Sequence, residues 1–215
     1  MSDLPELPAH AFAKADASPD ALFYAEPRFV THIDRGAIAA VTELYRALFP
    51  PGGVVLDLMS SWVSHLPDDV PYAEVIGHGL NAEELEANPR LTRRFVQDLN
   101  ADPVLPLASA SVDAAGICVS VQYLQRPVAV LGEVARVLKP GAPLAVTFSN
   151  RCFPTKAVAI WGALGGDDHA RLVQLYLDRA GFERVEARRL VPGRFGADPL
   201  WAVVGRAPMR EQDPA

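Results

Sequence analysis

Apolar residues follow two rhythms along this chain. Ile38, Val41, Leu44, Tyr45 and Leu48 fall at helical spacing, which predicts a helix capped by Asp34 and running to about Phe49. Pro50-Pro51-Gly52-Gly53 stops it and turns the chain. Short apolar runs then alternate with helical stretches. Strands are predicted at 54–58, 73–77, 94–98, 112–119 and 143–148. Between them, Asn81-Ala82-Glu83-Glu84 reads as a capping box, with Asn81 accepting from the helix N-terminus and Glu84 reaching back. Pro127 opens a helix that continues to Leu138, where Lys139-Pro140-Gly141 ends it. A further helix is expected near Pro154, and Asp167 or Asp168 is expected to cap another that runs to Ala180 and closes at Gly181. The rhythm changes at the end. Strands at 182–191 and 200–206 are separated only by a Pro/Gly loop, too short for a parallel crossover, so this pair must be antiparallel. The pattern predicts an α/β fold with a mostly parallel sheet and a C-terminal antiparallel hairpin.

A length of 215 residues suits one α/β domain over 34–206, an N-terminal arm over 1–33 rich in Pro, Ala and Asp, and a short tail over 207–215. Half of the residues are hydrophobic, enough for a core, yet no run approaches the roughly 18 needed to span a bilayer. The acidic, Pro-rich start does not read as a signal peptide, so a cytoplasmic protein is expected, with no membrane partner. A net charge of −6 argues against nucleic-acid binding. Cys118 and Cys152 do not form a C-x-x-C pair, which argues against a disulfide framework or a zinc site. Asp167-Asp168-His169 reads as a helix start favoured by negative charge rather than as a metal site.

The first strand ends in a carboxylate, Asp57, and Asp98 and Cys118 stand at or near the ends of two others. In an open α/β sheet these positions meet in one crevice beyond the carboxyl ends of the strands, where ligands bind. Nucleotide-binding folds usually place a glycine-rich turn after the first strand; here Met59, Ser61 and Val63 take those places. Trp62 and His65 project either towards the crevice or, for Trp62, into core packing under a following helix.

Three segments carry a resemblance over residues 36–206. Gln97-Asp98-Leu99-Asn100-Ala101-Asp102 with Leu105-Pro106-Leu107 and Ser111-Val112-Asp113 looks like the "GDAE-x-LPF-x-x-x-SFD" signature, Cys118-Val119-Ser120-Val121-Gln122-Tyr123-Leu124 like "SFALHHV", and Glu133-Val134-Ala135-Arg136-Val137-Leu138-Lys139-Pro140-Gly141 like "E-x-x-RVLKPGG". The chain thereby resembles the class I S-adenosylmethionine-dependent methyltransferases, in particular the UbiE-like, type 11 branch. The resemblance implies a Rossmann-like sheet of strand order 3-2-1-4-5-7-6, S-adenosyl-L-methionine as cofactor and a small-molecule substrate. It implies that Asp98 accepts from the adenine amino group, that Leu99 covers the ring, and that Cys118, Val119 and Gln122 face the methionine part. Asp57, Met59, Ser60 and Ser61 would line the cofactor, with the two serines offering hydroxyls and amides to its carboxylate. At the end of the second strand the family carries an acidic residue that chelates the ribose. The matching position in His78-Gly79-Leu80-Asn81 is Gly79, leaving His78 or Asn81 to supply a ribose hydrogen bond. Candidate proton acceptors are His32, on an arm segment that would fold over the cofactor as a lid, together with His65 and Tyr123; Arg126 and Arg151 would hold an acidic substrate group. The departures at Met59–Val63 and Gly79 leave open a second reading, a non-catalytic or regulatory protein that binds the same ligand. A nicotinamide enzyme is disfavoured because G-x-G-x-x-G is absent.

Overall fold

The computed structural model describes residues 4–193 and 196–209; the remainder of the predicted tail, 210–215, lies outside the described residues. Seven strands form one sheet: β1 (Val54–Leu58), β2 (Glu74–Gly79), β3 (Arg93–Val96), β4 (Ala114–Cys118), β5 (Pro143–Ser149), β6 (Glu183–Val191) and β7 (Leu200–Arg206). Their order is β3-β2-β1-β4-β5-β7-β6, the order expected from the resemblance. The first five pair in parallel; β7 runs antiparallel to both β5 and β6, with seven residue pairs from Pro143↔Arg206 to Ser149↔Leu200. The strand positions follow the apolar runs to within two residues at either end.

The central strands are buried because helices cover both faces. Alternation along β1 sends Leu56 and Leu58 to one side and Val55 to the other. The first side packs on α4 (Pro127–Val137) and α6 (Gly166–Arg179) through Leu131, Val134, Val173 and Leu177. The second packs on α2 (Arg35–Leu48) through Ala37, Val41, Leu44 and Tyr45. Asp34 caps α2 as expected, its Oδ1 accepting from Ala37 N at 2.8 Å, and Gly181 follows α6 with φ 84°. No described helix is long and apolar enough to cross a membrane.

Several expectations change. Residues 59–73, all described, form no helix, so Trp62 has none to pack under; the β1–β2 crossover is irregular chain interrupted by Pro67 and Pro71. Neither Asp167 nor Asp168 caps α6. Gly165 stands at the cap, Asp167 accepts from Trp201 Nε1 at 2.8 Å and Asp168 pairs with Arg171. The helix expected near Pro154 starts later, as α5 (Ala159–Ala163). In α3 (Ala82–Ala87), Asn81 caps Glu84 N at 3.0 Å, but the Glu84 side chain turns elsewhere.

The arm is strapped onto the domain. It carries α1 (Asp20–Phe23), a β-bridge from Lys14 to Val158, and the buried Leu4. Its firmest anchor is a buried ionic cluster. Lys156, with no exposed surface, donates to Ser18 O at 2.7 Å and Ser18 Oγ at 3.1 Å and pairs with Asp16 at 3.1 Å and Asp20 at 3.5 Å. Lys14 and Asn100 also bind Asp20. Each buried charge meets an opposite charge or a dipole, as burial requires.

Candidate active site

A crevice of about 590 Å³ opens beyond the carboxyl ends of β1, β2 and β4, with the arm as its roof. Asp57, Met59, Ser60, Ser61, His78, Gly79, Leu80, Asn81, Asp98, Leu99, Cys118 and Val119 line it, as do His32, His65 and Tyr123. Of the residues anticipated to bind the cofactor or take a proton, Gln122 alone stays out. It is 1 % exposed, in the 3-10 turn at 121–123, and its Nε2 donates to Val119 O at 2.8 Å.

The turn after β1 explains the missing glycines. Burial pushes the Asp57 carboxyl up, and it accepts from Ser60 Oγ at 2.5 Å and from Ser64 Oγ, which pins the turn from below. Met59 takes a left-handed conformation, φ 57°, where glycine is usual. Its amide donates to His78 Nδ1 at 3.1 Å and the Ser60 amide donates to His78 O at 2.6 Å. The turn therefore folds back onto the end of β2. A Cβ on Gly79 would stand 2.7 Å from the Ser60 carbonyl oxygen. The need for a bare backbone has moved from the turn to its contact on β2.

This packing corrects several assigned roles. His78 cannot serve a ribose. Its Nδ1 accepts from Met59, so its proton sits on Nε2, which donates to Gln97 O at 2.9 Å; burial lowers its pKa to about 4 and keeps it neutral. Asn81 is likewise committed: its oxygen caps α3 and its Nδ2 donates to Tyr24 O at 2.9 Å and Ala25 O at 3.1 Å. The Ser60 amide and hydroxyl and the Ser61 hydroxyl already donate within the protein, the last to Glu84 Oε2 at 2.6 Å, so they are not open donors for a carboxylate. Tyr123 is no proton acceptor either, because burial holds its phenol up at about 12 while its oxygen accepts from Phe153 N at 2.9 Å. Burial also pushes the Cys118 thiol up to about 12, which leaves it unreactive at neutral pH.

Other groups remain available. Asp98 binds Asn100 N at 2.9 Å through one oxygen, above the buried Leu99. Ser120 Oγ, at the end of β4, is buried and has no partner among the described residues. An unpaired buried hydroxyl in a ligand-sized crevice fits a bound polar group. His32 and His65 also line the crevice. His32 packs on Phe153 with ring centroids 5.4 Å apart, and burial lowers its pKa; burial and the neighbouring His32 lower that of His65. Both imidazoles are neutral at pH 7. Trp62 holds the arm, donating to Val30 O at 3.0 Å with its ring against Phe29. Arg151 lines the rim but is paired with Asp198 at 2.8 Å, and Arg126 lies outside the crevice.

Sequence reasoning missed the part played by Glu84, Arg28 and Phe153. Glu84 is buried in the crevice wall, where Oε1 accepts from Arg28 N at 2.7 Å. The Arg28 guanidinium lies 4.6 Å from the Phe23 ring centroid and 5.5 Å from that of Phe153. Nothing local marks these residues, since each depends on the arm's docking.

Residues 60–146 match the model of a family described as a methyltransferase domain. Over that stretch the chain is similar to the methyltransferase domain, and its sheet order is that of the methyltransferase fold. No curated protein matches the chain. Among solved structures it is similar to an S-adenosylmethionine-dependent methyltransferase from Aquifex aeolicus, at 18 % identity over 87 % of this chain and 97 % of that one, TM-score 0.57. It is similar to Haemonchus contortus phosphoethanolamine N-methyltransferase 2 in complex with S-adenosyl-L-methionine, at 13 % identity over 80 % of this chain and 52 % of that one, TM-score 0.59. It also resembles the cyclase SpnF, at 16 % identity, 88 % and 92 % coverage, TM-score 0.62. At these identities the structures speak for the fold, which hosts more than one chemistry. The methyltransferase domain indicates S-adenosylmethionine as the cofactor.

Proposed function

We propose that the chain is an S-adenosylmethionine-dependent methyltransferase acting on a small molecule, with the arm over 1–33 serving as the lid of its crevice. The observation that carries this reading is the roofed crevice itself. Its volume of about 590 Å³ suits a compact ligand, since such clefts span roughly 300–1,000 Å³. When bound, S-adenosylmethionine supplies an electrophilic methyl group on a sulfonium. This chain's residues hold, orient and shield it. Asp98 accepts from the adenine amino group and Leu99 covers the ring; Ser120 Oγ donates at the amino-acid end. Alignment of acceptor and methyl supplies much of the rate in such a displacement. Where the acceptor must lose a proton, His32 or His65 takes it, both being neutral at pH 7 and lining the crevice. Tyr123 keeps its proton and acts at most as a donor.

A second reading, binding without turnover, draws support from one feature: the Ser60 carbonyl sits on Gly79, where the resemblance implies a ribose-binding carboxylate. Calorimetry with S-adenosylmethionine, S-adenosylhomocysteine and NADH tests the cofactor. Both sulfur ligands should bind, and Asp98→Ala should weaken them about tenfold, the loss expected for one hydrogen bond to a ligand. Tight binding of NADH alone, or no sulfur-ligand binding at millimolar concentration, would overturn the assignment. Release of S-adenosylhomocysteine on incubation with a small-molecule extract separates the two readings. Binding without any release favours the second.

A further inference from the structure

Glu84 is a buried carboxylate in the crevice wall, 7 % exposed, and its role as a helix cap is disproved by its geometry. A charge buried this deeply must be hydrogen-bonded. Its two hydrogen bonds come from neutral donors: Arg28 N reaches Oε1 at 2.7 Å and Ser61 Oγ reaches Oε2 at 2.6 Å. Each carboxylate oxygen has two acceptor positions. One position on each oxygen therefore has no partner among the described residues, on a group that borders the crevice. A pair of adjacent hydroxyls is the donor set that matches.

The position agrees. β2 lies between β3 and β1 in the sheet, and α3 follows β2 directly. Asp98 and Leu99 follow β3, and Val119 and Ser120 follow β4, so Glu84 lies between the two ends of the crevice. Gly79 gives no side chain at the end of β2, and the Ser60 carbonyl fills the space one would need.

We infer that Glu84 is this chain's acceptor for the two ribose hydroxyls of the cofactor, standing in from α3 for the carboxylate absent at Gly79. The inference rests on the cofactor reading above. Glu84 also joins the arm, through Arg28 N, to the β1 turn, through Ser61. Ribose binding and closure of the arm thus share one carboxylate.

The test compares S-adenosylhomocysteine with its 2′,3′-dideoxy analogue by calorimetry, on the wild type, Glu84→Gln and Glu84→Ala. The wild type should prefer the diol by about tenfold to a hundredfold, the worth of charge-assisted hydrogen bonds to the ligand. Glu84→Ala should reduce that preference to about threefold or less, with Glu84→Gln between, since its amide keeps the shape and one acceptor. If Glu84 merely clasps the arm, both ligands weaken alike and the preference is unchanged in the variants. That result, or a wild type that binds both ligands equally, would overturn the inference while leaving the cofactor reading intact. A wild type that binds neither ligand would overturn both.

Discussion

At the residue scale, His78 shows how one buried side chain can hold a turn. Its Nδ1 accepts from Met59 N and its Nε2 donates to Gln97 O, so it works only as the neutral ring. The pKa, about 4 in the fold against the ordinary 6.5, means that the unfolded chain takes up the proton first as the pH falls. The stability from His78 is complete above about 6.5 and is lost as the pH falls towards about 4, on the order of 3 kcal/mol at most. Asp57 acts in the opposite sense, since its raised pKa gives stability at low pH that is lost as the pH rises. Urea midpoints measured from pH 7.5 to 4.5 should fall steeply for the wild type and less steeply for His78→Gln. Parallel curves for the two proteins would refute the assignment. Of these facts the sequence carried the histidine and its place at the end of a strand, but not its partners. Those come from Met59 and Gln97, on either side of it in the fold and far from it along the chain.

At the element scale, the β1 turn and the end of β2 form one unit. Gly79 is required by the Ser60 carbonyl, 2.7 Å from the Cβ it lacks, and backbone cannot yield as a side chain can. Gly79→Ala should lower stability by about 1–3 kcal/mol, the usual cost of overpacking. Gly132, inside α4 with nothing near its missing Cβ, provides the contrast. Gly132→Ala should raise stability by about 0.5–1 kcal/mol through helix propensity. Thermal denaturation reads both, and equal shifts would sink the argument. The elements themselves were largely legible. The Asp34 cap, Pro127 at the start of α4, Lys139-Pro140-Gly141 at its end and Gly181 after α6 each act through chemistry local to a few residues. The β1–β2 connection was not. Residues 59–73 stay irregular, held by Asp57, His78 and Trp62 rather than by backbone ladders, and no local periodicity writes such contacts.

At the scale of the whole molecule, the arm adds residues such as Tyr24, Arg28 and His32 to the crevice at the carboxyl ends of the strands. It is bound at both sides of the opening: Asp16, Ser18 and Asp20 grip Lys156, while Tyr24, Ala25 and Arg28 meet Asn81 and Glu84. Removing one partner of a buried ion cluster leaves the others unpaired. Lys156→Met should therefore cost about 3 kcal/mol in denaturant unfolding. It should also speed tryptic cleavage within the arm and weaken S-adenosylhomocysteine binding. A variant as stable and as protease-resistant as the wild type would show that the cluster does not secure the arm.

The sequence by itself determined the α/β order, the antiparallel ending and the crevice-end positions Asp57, Asp98 and Cys118, because periodicity, caps and strand ends are written locally. The family motifs added the cofactor. Only the tertiary structure decided which crevice residues are free to act. His78, Asn81, Ser60 and Ser61 are used up by neighbours, while Glu84, Ser120, His32 and His65 line the crevice with hydrogen-bonding capacity left. A polar side chain has few donors and acceptors, and what remains for a ligand depends on which distant segments the fold sets against it.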